Sequence, residues 1–499
     1  MSTATGESTV LAFDLGATSG RAILGCLGGG KLELHEIHRF PNEPVRYNGE
    51  LHWDMPRLWH EVQAGLHAAD RGGPLASIGV DTWGVDYALL GEGGILLENP
   101  YHYRDQRTQG MVEKAAGVVG RDRIYDTTGI QFMALNTLYQ LYAASQKTPR
   151  LLAAAESLLT IPDLLNYWLT GVQACEYTEA TTTQFLDRRT RSWACSLLCD
   201  LGIPTHFLKP IVQPGAVLGG LRAELAQPAA FKTAVVTAPA CHDTGSAVAA
   251  VKTGGVTAFL SSGTWSLLGT EVPEAIVNED SRRFNFTNEG GVGGTYRLLK
   301  NITGMWLLEE CRKVWGTHSY AELCAMASAE APFQTIVDPD DSLFTAPEHM
   351  PRAIDAFCAR TGQPAPRTPG AYTRTILESL ALKYRSVLEQ LGSIAKARFE
   401  QVRVIGGGCR NAMLNQFTAD ATGCRVLAGP AEATALGNIA MQLVGIGAMA
   451  SIDDARALIE RSFPVEVFQP AGSAVWDRAY ANFVGAGHAR PCASKKESA

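Results

Sequence analysis

Several features that the sequence lacks narrow the classes of protein it can belong to. Neither the 43 basic nor the 50 acidic residues form a long block, and the net charge is −7, so nothing favours a nucleic-acid or anionic-membrane surface. No two of the 11 cysteines are spaced as Cys-x-x-Cys, which argues against an iron–sulfur site and favours a reduced, cytoplasmic chain. These absences favour a protein that binds a small soluble ligand.

Targeting and membrane segments are also missing. The start, MSTATGESTV, has neither the basic region nor the sustained apolar core of a signal peptide. The most hydrophobic long segment, 151–169, is interrupted by Glu156, Pro162 and Asp163, well short of a bilayer span. We therefore predict a protein without a membrane segment.

The length indicates two domains, and an internal repeat agrees with that number. At 499 residues the chain is too long for one hydrophobic core. FDLGATSGRAILGC, from Phe13, and FLSSGTWSLLGTEV, from Phe259, each predict a strand, a small polar turn with a threonine, and a second strand. Such short matches also occur by chance. As a true repeat, they predict two similar halves with a cleft between them.

Each half shows strands first and then alternating helices and strands. Residues 9–40 predict a three-stranded meander, and 58–69 predict a helix. In the second half, 371–395 predict a long helix with one apolar face. The segment VRVIGGGCRN that follows predicts a strand, a glycine turn and the start of a helix.

The turn after Asp14 is a candidate phosphate-binding element. It lacks the Lys of a P-loop, and the residues after it are too few for a helix before Gly25. The small residues, N–H groups and hydroxyls of 16–20 can still approach phosphate oxygens closely. A buried Asp14 carboxylate needs a partner or a metal, and Mg²⁺ held partly through water would offset phosphate charge. The alternative is an Asp that caps the turn through its own backbone.

Two turns of the second half are candidates for the rest of a nucleotide site. SSGTWS (261–266) would face the Asp14 turn across the cleft, so that the two turns hold a triphosphate from both sides. GGGCRN (406–411) lies between a strand and a helix, where three glycines let the backbone lie flat against adenine or ribose. Taken alone, the first is an ordinary polar turn and the second a flexible connection.

Asp243 is the candidate general base. The segment CHDTGSAVAAV follows a strand-like run, 233–237, and leads into a helix of small residues. Asp243 can therefore be a plain N-cap, or it can take the proton from an attacking hydroxyl during phosphoryl transfer. A lone histidine such as His242 is more often a structural or hydrogen-bonding residue than a catalyst.

Aromatic and carboxylate residues suggest a polyhydroxylated ligand. DTWGVDY (81–87) combines two carboxylates, a Trp and a Gly beside a strand end. The C–H faces of such a ligand can stack on the aromatic ring while its hydroxyls donate hydrogen bonds to the carboxylates. YRDQR (103–107) adds charges, although a surface Arg-Asp pair explains it equally well. LKNITG (299–304) places Asn301 on a predicted loop or helix start.

Taken together, these motifs resemble the FGGY carbohydrate kinases, and within them the rhamnulokinases. DTWGVD and SSGTWSL are the specific motifs, whereas the glycine turns are shared with the wider actin-like ATPase superfamily. The resemblance covers nearly the whole chain in order, through FDLGATSGR, HRFPN, SIGVDTWGVDY, YRDQR, GIQF, NTLYQL, EYTEATTTQ, HDTGSAV, LSSGTWSLLG, TNEGG, LKNITGMWLL, GGGCRN and AGPAEATALGNI.

The resemblance implies an α/β fold of two ribonuclease H-like (actin-like ATPase) domains, each a mixed five-stranded sheet flanked by helices, with the catalytic cleft between them. It implies a kinase that uses ATP and Mg²⁺ to phosphorylate the 1-hydroxyl of L-rhamnulose in rhamnose catabolism. We expect an N-terminal domain over 1–248 that binds sugar and phosphate, a C-terminal domain over 249–488 that binds the adenine nucleotide, and a disordered tail over 489–499. Neither nucleic acid nor membrane is expected as a partner, and the chain is expected to be a monomer or a homodimer.

The resemblance also assigns site residues. Asp243 is the proton acceptor, and Asp14 is assigned to Mg²⁺ from the wider superfamily. Where relatives often have Gln, this chain has Glu309, so a contact made there by an amide N–H would be lost or replaced. The sugar contacts are Gly84, His242, Asp243, Thr244 and Asn301. The ATP contacts are Ala17, Thr18, Ser19, Gly20, Arg21, Thr264, Glu309 and Gly407.

Three alternatives stay open at this point. The first is a kinase of the same fold that acts on fuculose, xylulose or glycerol, against which the DTWGVDY segment argues. The second is an actin-like ATPase that moves or assembles, which needs neither a sugar base nor the DTWGVD segment. The third is an activator ATPase with an iron–sulfur site, for which paired cysteines are expected.

Overall fold

The computed structural model describes residues 7–70, 73–316, 318–345, 347–472 and 474–485. The predicted tail, 489–499, lies outside the described residues.

The first half contains strands and helices in mixed order. Its strands are β1 (Ser8–Leu15), β2 (Ser19–Gly28), β3 (Lys31–Pro41), β4 (Val45–Tyr47), β5 (Glu50–His52), β6 (Ser77–Thr82), β7 (Tyr87–Leu90), β8 (Ser157–Thr160), β9 (Cys175–Glu176), β10 (Leu186–Asp187), β11 (Ser192–Trp193), β12 (Ile211–Val212), β13 (Ala216–Gly220) and β14 (Val235–Ala238). Its helices are α1 (Met55–Ala69), α2 (Met111–Val119), α3 (Arg121–Thr128), α4 (Thr137–Lys147), α5 (Pro149–Ala154), α6 (Ile161–Thr170), α7 (Tyr177–Thr182), α8 (Cys195–Asp200) and α9 (Asp243–Ala249).

The second half has fewer strands and longer helices. Its strands are β15 (Thr257–Ser262), β16 (Trp265–Val272), β17 (Thr287–Gly290), β18 (Tyr296–Thr303), β19 (Gln401–Ile405), β20 (Arg425–Ala428) and β21 (Glu466–Phe468). Its helices are α10 (Glu279–Arg283), α11 (Trp306–Trp315), α12 (Tyr320–Ser328), α13 (Met350–Thr361), α14 (Pro369–Ala395), α15 (Ala412–Thr422), α16 (Ala433–Gly445), α17 (Ile452–Ser462) and α18 (Ala474–Gly485).

The two halves repeat one sheet topology. The first sheet has the order β13-β14-β6-β1-β2-β3 and the second the order β17-β18-β16-β15-β19-β20-β21. In each, an antiparallel meander (β1-β2-β3; β15-β16-β18) continues into parallel strands (β6 and β14; β19 and β20). This common five-stranded unit is the predicted mixed sheet. Edge strands β13, β17 and β21 enlarge the two sheets to six and seven strands.

Local sequence explains why the main elements form where they do. Residues 10–15 of β1 are all buried, as expected of a strand with helices on both faces. Helix α14 begins after Thr368, whose hydroxyl accepts a hydrogen bond from the Ala371 N–H at 3.0 Å, with Pro369 at its first position. The predicted long helix is thus confirmed, two residues longer at its start.

The halves meet along an apolar seam. One continuous buried cluster contains Val10 and Ala12 from β1, Phe259 from β15 and Ile439 from α16. At the crossing of α9 and α16 the backbones touch, because a Cβ on Gly437 would lie 1.7 Å from the Ser246 carbonyl oxygen. The seam thereby holds the turns of the β1–β2 and β15–β16 hairpins on opposite sides of one cleft. In the described ranges, no helix is long and apolar enough to cross a membrane.

Candidate active site

A cavity of about 680 Å³ opens between the halves, which is within the usual range for small-molecule sites. Both repeated hairpins contribute their turns to its wall. Of the residues that the sequence predicts for the site, nine line it: Ala17, Thr18, Gly84, His242, Asp243, Thr244, Thr264, Asn301 and Gly407. The other five, Asp14, Ser19, Gly20, Arg21 and Glu309, are not part of the cavity wall.

The β1–β2 turn is a closed, braced loop. The Gly16 N–H donates to the Ser19 carbonyl at 2.9 Å, and the Asn42 N–H donates to the Thr18 carbonyl at 3.0 Å. The Asn42 side chain also donates to the Gly16 carbonyl at 2.9 Å. Asn42 lines the cavity itself and was missed as a site residue, although it ends the quoted HRFPN motif. Its bonds to both carbonyls hold the turn at the cavity wall.

Gly20 has a packing role under this turn. A Cβ at this position would lie 2.2 Å from the Phe40 ring, closer than side-chain carbons approach each other. The glycine therefore lets the meander close over the apolar core, and Phe40 fills the space beneath the turn.

Asp14 is buried and ion-paired with Arg21, which also contacts Glu432 from the second half. Burial raises the pKa of Asp14, an effect opposed by the Arg21 charge and reinforced by Asp243. Burial and the Asp14 charge raise the pKa of Asp81 well above its usual range. Three carboxyl groups, Asp14, Asp81 and Asp243, thus influence one another in this part of the cleft, and Arg21 offsets part of their negative charge.

The second-half turns have equally tight backbones. Gly304 packs against the SSGTWS turn, where a Cβ would lie 2.8 Å from the Gly263 carbonyl oxygen. The Gly304 N–H and the Trp306 N–H both donate to the Thr264 carbonyl at 3.2 Å. Gly408 packs against Ser262, because a Cβ on Gly408 would lie only 2.1 Å from the Ser262 hydroxyl oxygen. Only glycine allows these loops to meet at the cavity wall.

Asp243 is the first residue of α9, as the sequence predicts. Its Oδ1 accepts from the Thr244 N–H at 2.5 Å and the Thr244 hydroxyl at 3.1 Å, while Oδ2 takes part in neither bond. The side chain is 31% exposed and lines the cavity. Helix N–H groups stabilise a carboxylate at this position, and the partial exposure of the side chain leaves it accessible to a ligand in the cavity.

Two residues from α7 and its cap hold the chain before Asp243. Glu176 Oε2 accepts from the Cys241 N–H at 3.0 Å, and the Thr178 hydroxyl accepts from the His242 N–H at 3.2 Å. Glu176 is buried, which raises its pKa to about 6 despite the hydrogen bonds it accepts. Sequence reasoning did not find this role, which depends on contacts more than sixty residues apart.

His242 contacts charged groups on both sides of its ring. Its Nε2 lies 3.4 Å from Asp243 Oδ1. Its Nδ1 lies 3.1 Å from an Arg297 nitrogen and 3.4 Å from Glu289 Oε2. Arg297 and Glu289 face each other on β18 and β17, with 3.1 Å between their charged atoms. A buried ion pair of the second half therefore touches a predicted sugar-binding residue of the first.

The DTWGVD segment forms a rigid wall. Val85 has a φ of +70°, a strained value for a β-branched residue. Asp86 accepts hydrogen bonds from the indoles of Trp53 and Trp83 at 2.6 and 3.0 Å and from the Tyr103 N–H at 3.2 Å. Burial raises the pKa of Asp86 to about 6, and the hydrogen bonds that Asp86 accepts keep the pKa from rising further. The carboxylate orients aromatic rings beside Gly84.

Asn301 lies within strand β18, so the prediction of a loop or helix start was wrong. Asn301 lines the cavity, and it shares one face of β18 with the buried Arg297, because residues four apart lie on the same face of a strand. Gln131 Oε1 accepts from the Asn301 N–H at 3.0 Å and from its amide at 3.1 Å. Gln131 comes from the first half, so this bond also crosses the cleft.

Glu309 lies on α11, outside the cavity wall. Its carboxylate contacts the Tyr320 hydroxyl and accepts from Arg312 at 3.1 Å. These partners occupy both oxygens, which gives the acidic residue a structural role in this arrangement.

The structure combines two similar sheets around a cleft, polar turns from both halves and a carboxylate at a helix start. This combination is that of an actin-like phosphotransferase. Family models agree: 9–250 match the FGGY family of carbohydrate kinases, N-terminal domain, and 258–446 match its C-terminal domain. The chain belongs to the FGGY family of carbohydrate kinases. It is therefore a sugar kinase that uses ATP.

Curated relatives match over nearly the full length. The chain is 46% identical to a rhamnulokinase of Bacteroides thetaiotaomicron, over 96% of this chain and 99% of the relative. It is 42% identical to a rhamnulokinase of Oceanobacillus iheyensis, over 92% and 97%.

Solved structures share the fold. A gluconate kinase from Lactobacillus acidophilus superposes with a TM-score of 0.81 at 16% identity, covering 99% of this chain and 100% of that one. Plasmodium falciparum glycerol kinase with ADP superposes with a TM-score of 0.78 at 16% identity, covering 96% and 97%. The predicted fold class is confirmed.

Proposed function

We propose that this enzyme transfers the γ-phosphoryl group of ATP to the 1-hydroxyl of L-rhamnulose, giving L-rhamnulose 1-phosphate and ADP in L-rhamnose catabolism. The choice of ketose rests on the two rhamnulokinases at 46% and 42% identity. The choice of chemistry rests on one observation. Asp243 is the first residue of α9, and it lines the cavity that both polar hairpin turns border.

Asp243 is proposed to act as the general base. It accepts the proton of the 1-hydroxyl while that oxygen bonds to the γ-phosphorus, and the bond to the β–γ bridging oxygen breaks to release ADP. Gly84, His242, Thr244 and Asn301 are proposed to contact the sugar. Their position around Asp243 in the cavity wall supports these roles.

The nucleotide is proposed to lie between the turns of the two halves. The phosphates would contact 17–21 and Thr264, and the adenine end would lie by Gly407. Ala17, Thr18, Thr264 and Gly407 border the cavity, which supports this arrangement. Ser19, Gly20 and Arg21 lie outside the cavity wall but stay proposed phosphate contacts, and Glu309 stays a proposed nucleotide contact.

Mg²⁺ is proposed to bind with the nucleotide. Within the described ranges, no three His, Cys, Asp or Glu side chains are placed to hold a metal ion together. The residues fit the usual Mg²⁺ arrangement, in which one or two carboxylates, waters and substrate phosphates share the ion. Asp14 is the proposed carboxylate, and the negative charge of Asp243 near it favours a cation in addition to its partner Arg21. When bound, Mg²⁺ supplies charge neutralisation for the phosphates.

Domain limits, oligomeric state and location complete the proposal. We place the boundary at 248/249, within α9, and the family-model limits of 250 and 258 support a division there. A monomer or homodimer in the cytoplasm is proposed, without nucleic acid or membrane as a partner. All ten cysteines in the described ranges are unpaired, which supports a reducing compartment.

An ADP-release assay over L-rhamnulose, L-fuculose, L-xylulose, D-xylulose and glycerol tests the substrate. We expect the highest kcat/KM with L-rhamnulose, and a higher value with any other acceptor would contradict the proposed ketose while leaving the kinase class intact.

Asp243→Asn tests the base. We expect kcat to fall at least about 100-fold, with ATP binding measured by calorimetry unchanged. Asp54→Asn is the matched control, because Asp54 caps α1 and Asn caps helices equally well. Near-normal turnover in Asp243→Asn would exclude Asp243 as the base.

A further inference from the structure

Arg297 is a buried charge that the proposed reaction does not use. Its side chain is fully buried, yet it is the second largest such side chain in the described chain. Its Nε donates to the Gly290 carbonyl at 2.9 Å, and one terminal nitrogen lies 3.1 Å from Glu289. The other terminal nitrogen lies 3.1 Å from His242 Nδ1. A guanidinium is costly to bury, so each of these contacts is informative.

The contact with His242 determines where the imidazole proton lies. Arg is always protonated in proteins and has only donors. At 3.1 Å, His242 Nδ1 can therefore only accept, and a neutral ring must carry its proton on Nε2. The second half of the chain thus determines the tautomer of a residue that belongs to the first.

Glu289 would favour the opposite tautomer if it acted alone. Its Oε2 lies 3.4 Å from His242 Nδ1 and could accept a proton from it. The same carboxylate faces Arg297 across the β17–β18 ladder. Burial raises the pKa of Glu289, but the nearby Arg297 charge opposes burial and the pKa is lowered from its ordinary value. Glu289 stays ionised as the counterion of Arg297, while Arg297 occupies the Nδ1 lone pair.

The consequence appears at Nε2, on the cavity side of the ring. Nε2 lies 3.4 Å from Asp243 Oδ1 and close to Gly84, where a Cβ would lie 3.2 Å from it. With a proton there, His242 can donate to a sugar oxygen and does not compete with Asp243 for a proton. With a bare Nε2, two acceptors would face each other and the site would contain a second base.

We propose that Arg297 is a positioning residue that fixes His242 as the Nε2–H tautomer, so that His242 donates a hydrogen bond to the ketose and Asp243 remains the only proton acceptor. The role toward the ketose rests on the proposed function. The tautomer itself does not, because it follows from contacts present without any ligand.

Nitrogen-15 NMR of histidine-labelled, ligand-free enzyme tests the tautomer. The His242 signals are assigned by their loss in His242→Gln, and the other histidines serve as internal controls for the fold. We expect Nδ1 to resonate as an unprotonated and Nε2 as a protonated ring nitrogen. A wild-type His242 with its proton on Nδ1 would overturn the proposal, whatever the variants do.

Two variants test the cause. Arg297→Met removes the donor and leaves the Glu289 carboxylate beside Nδ1, so we expect the proton to move to Nδ1. Glu289→Gln keeps Arg297 and should keep the Nε2–H tautomer. An unchanged tautomer in folded Arg297→Met, or a changed one in Glu289→Gln, would contradict the role of Arg297.

Steady-state kinetics test the consequence. In Arg297→Met we expect kcat with the preferred sugar to fall about tenfold or more, with the KM for ATP within a factor of two. Arg297→Lys, which keeps a charged donor, should recover part of the loss. A shifted tautomer with normal kcat would reject the catalytic consequence. A different preferred sugar would refute the proposed substrate and leave the tautomer result intact.

Discussion

Gly84 is a position where one added methyl group should disturb the site in a calculable way. A Cβ there would lie 3.2 Å from His242 Nε2 and 3.2 Å from Thr182 Cγ2. Both neighbours are held: the Thr182 hydroxyl accepts from the Val85 N–H at 3.1 Å, and Arg297 contacts the His242 ring. Since neither can move without breaking a hydrogen bond, the Gly84→Ala methyl group must displace the ring or the wall by a few tenths of an ångström.

The expected effect is on catalysis with the sugar. A misplacement of about 1 Å costs about 100-fold in rate, so a smaller displacement should lower kcat/KM for the ketose about 10- to 100-fold, or about 1.4–2.7 kcal/mol. The KM for ATP should stay within a factor of two, because Gly84 lies beside the residues that are predicted to bind the sugar. Steady-state ADP release with each substrate varied in turn measures both values.

The controls separate crowding from general damage. Gly117→Ala on α2 adds the same methyl group where nothing lies within 4 Å, and it should leave activity unchanged. Gly84→Ala combined with Thr182→Ser removes the crowded Cγ2 but keeps the hydroxyl, and it should recover part of the activity. A Gly84→Ala enzyme with wild-type kcat/KM would refute the argument that His242 and Thr182 are fixed.

Two further predictions concern stability. The folded protein holds a proton on Asp86 up to a pKa of about 6, against an ordinary 3.8. Its stabilisation is fully present below pH 3.8 and is lost as the pH rises through about 6. Urea-unfolding free energies measured between about pH 4 and 7 should therefore fall less steeply with pH in Asp86→Asn, where Glu176 still contributes to the slope. An unchanged slope in Asp86→Asn would reject the prediction. Arg456→Met breaks a buried ion pair with Glu271 at 2.9 Å, and it should lower the free energy of unfolding by about 3 kcal/mol. The exposed control Arg39→Met should lower it by under about 1 kcal/mol. Equal losses for the two variants in the same urea assay would contradict this prediction.

Much of the fold was predictable because its signals are local. Apolar runs bounded by glycine turns predicted the meander, and apolar periodicity predicted α14. The start of α9 at Asp243 followed from a polar cap before small residues. Each signal lies within a few residues of the element that it predicts.

The misses have a different physical origin. Asn301 was expected on a loop or helix start, but it lies in β18, where it bonds to Gln131, which is far away in sequence. Arg297 carried a weak signal, a charge directly before the apolar pair Leu298 and Leu299 in β18. Glu176 and Asn42 could not be found locally, because the groups that they hold are brought to them only by the tertiary fold.

The seam between the halves has a consequence for the order in which the protein can be completed during synthesis. Asn438 on α16 donates to the Asp81 carboxylate at 2.6 Å, and Gln442 donates to the Leu11 carbonyl at 3.0 Å. Both groups belong to the first sheet, and buried polar groups without partners are costly. That sheet therefore leaves the ribosome without its covering helix, and water must hydrate Asp81 until α16, some 350 residues later, is made. Until then the first half presents an apolar face and an unpaired carboxyl, so the nascent chain is most exposed to aggregation just before its last helices are made.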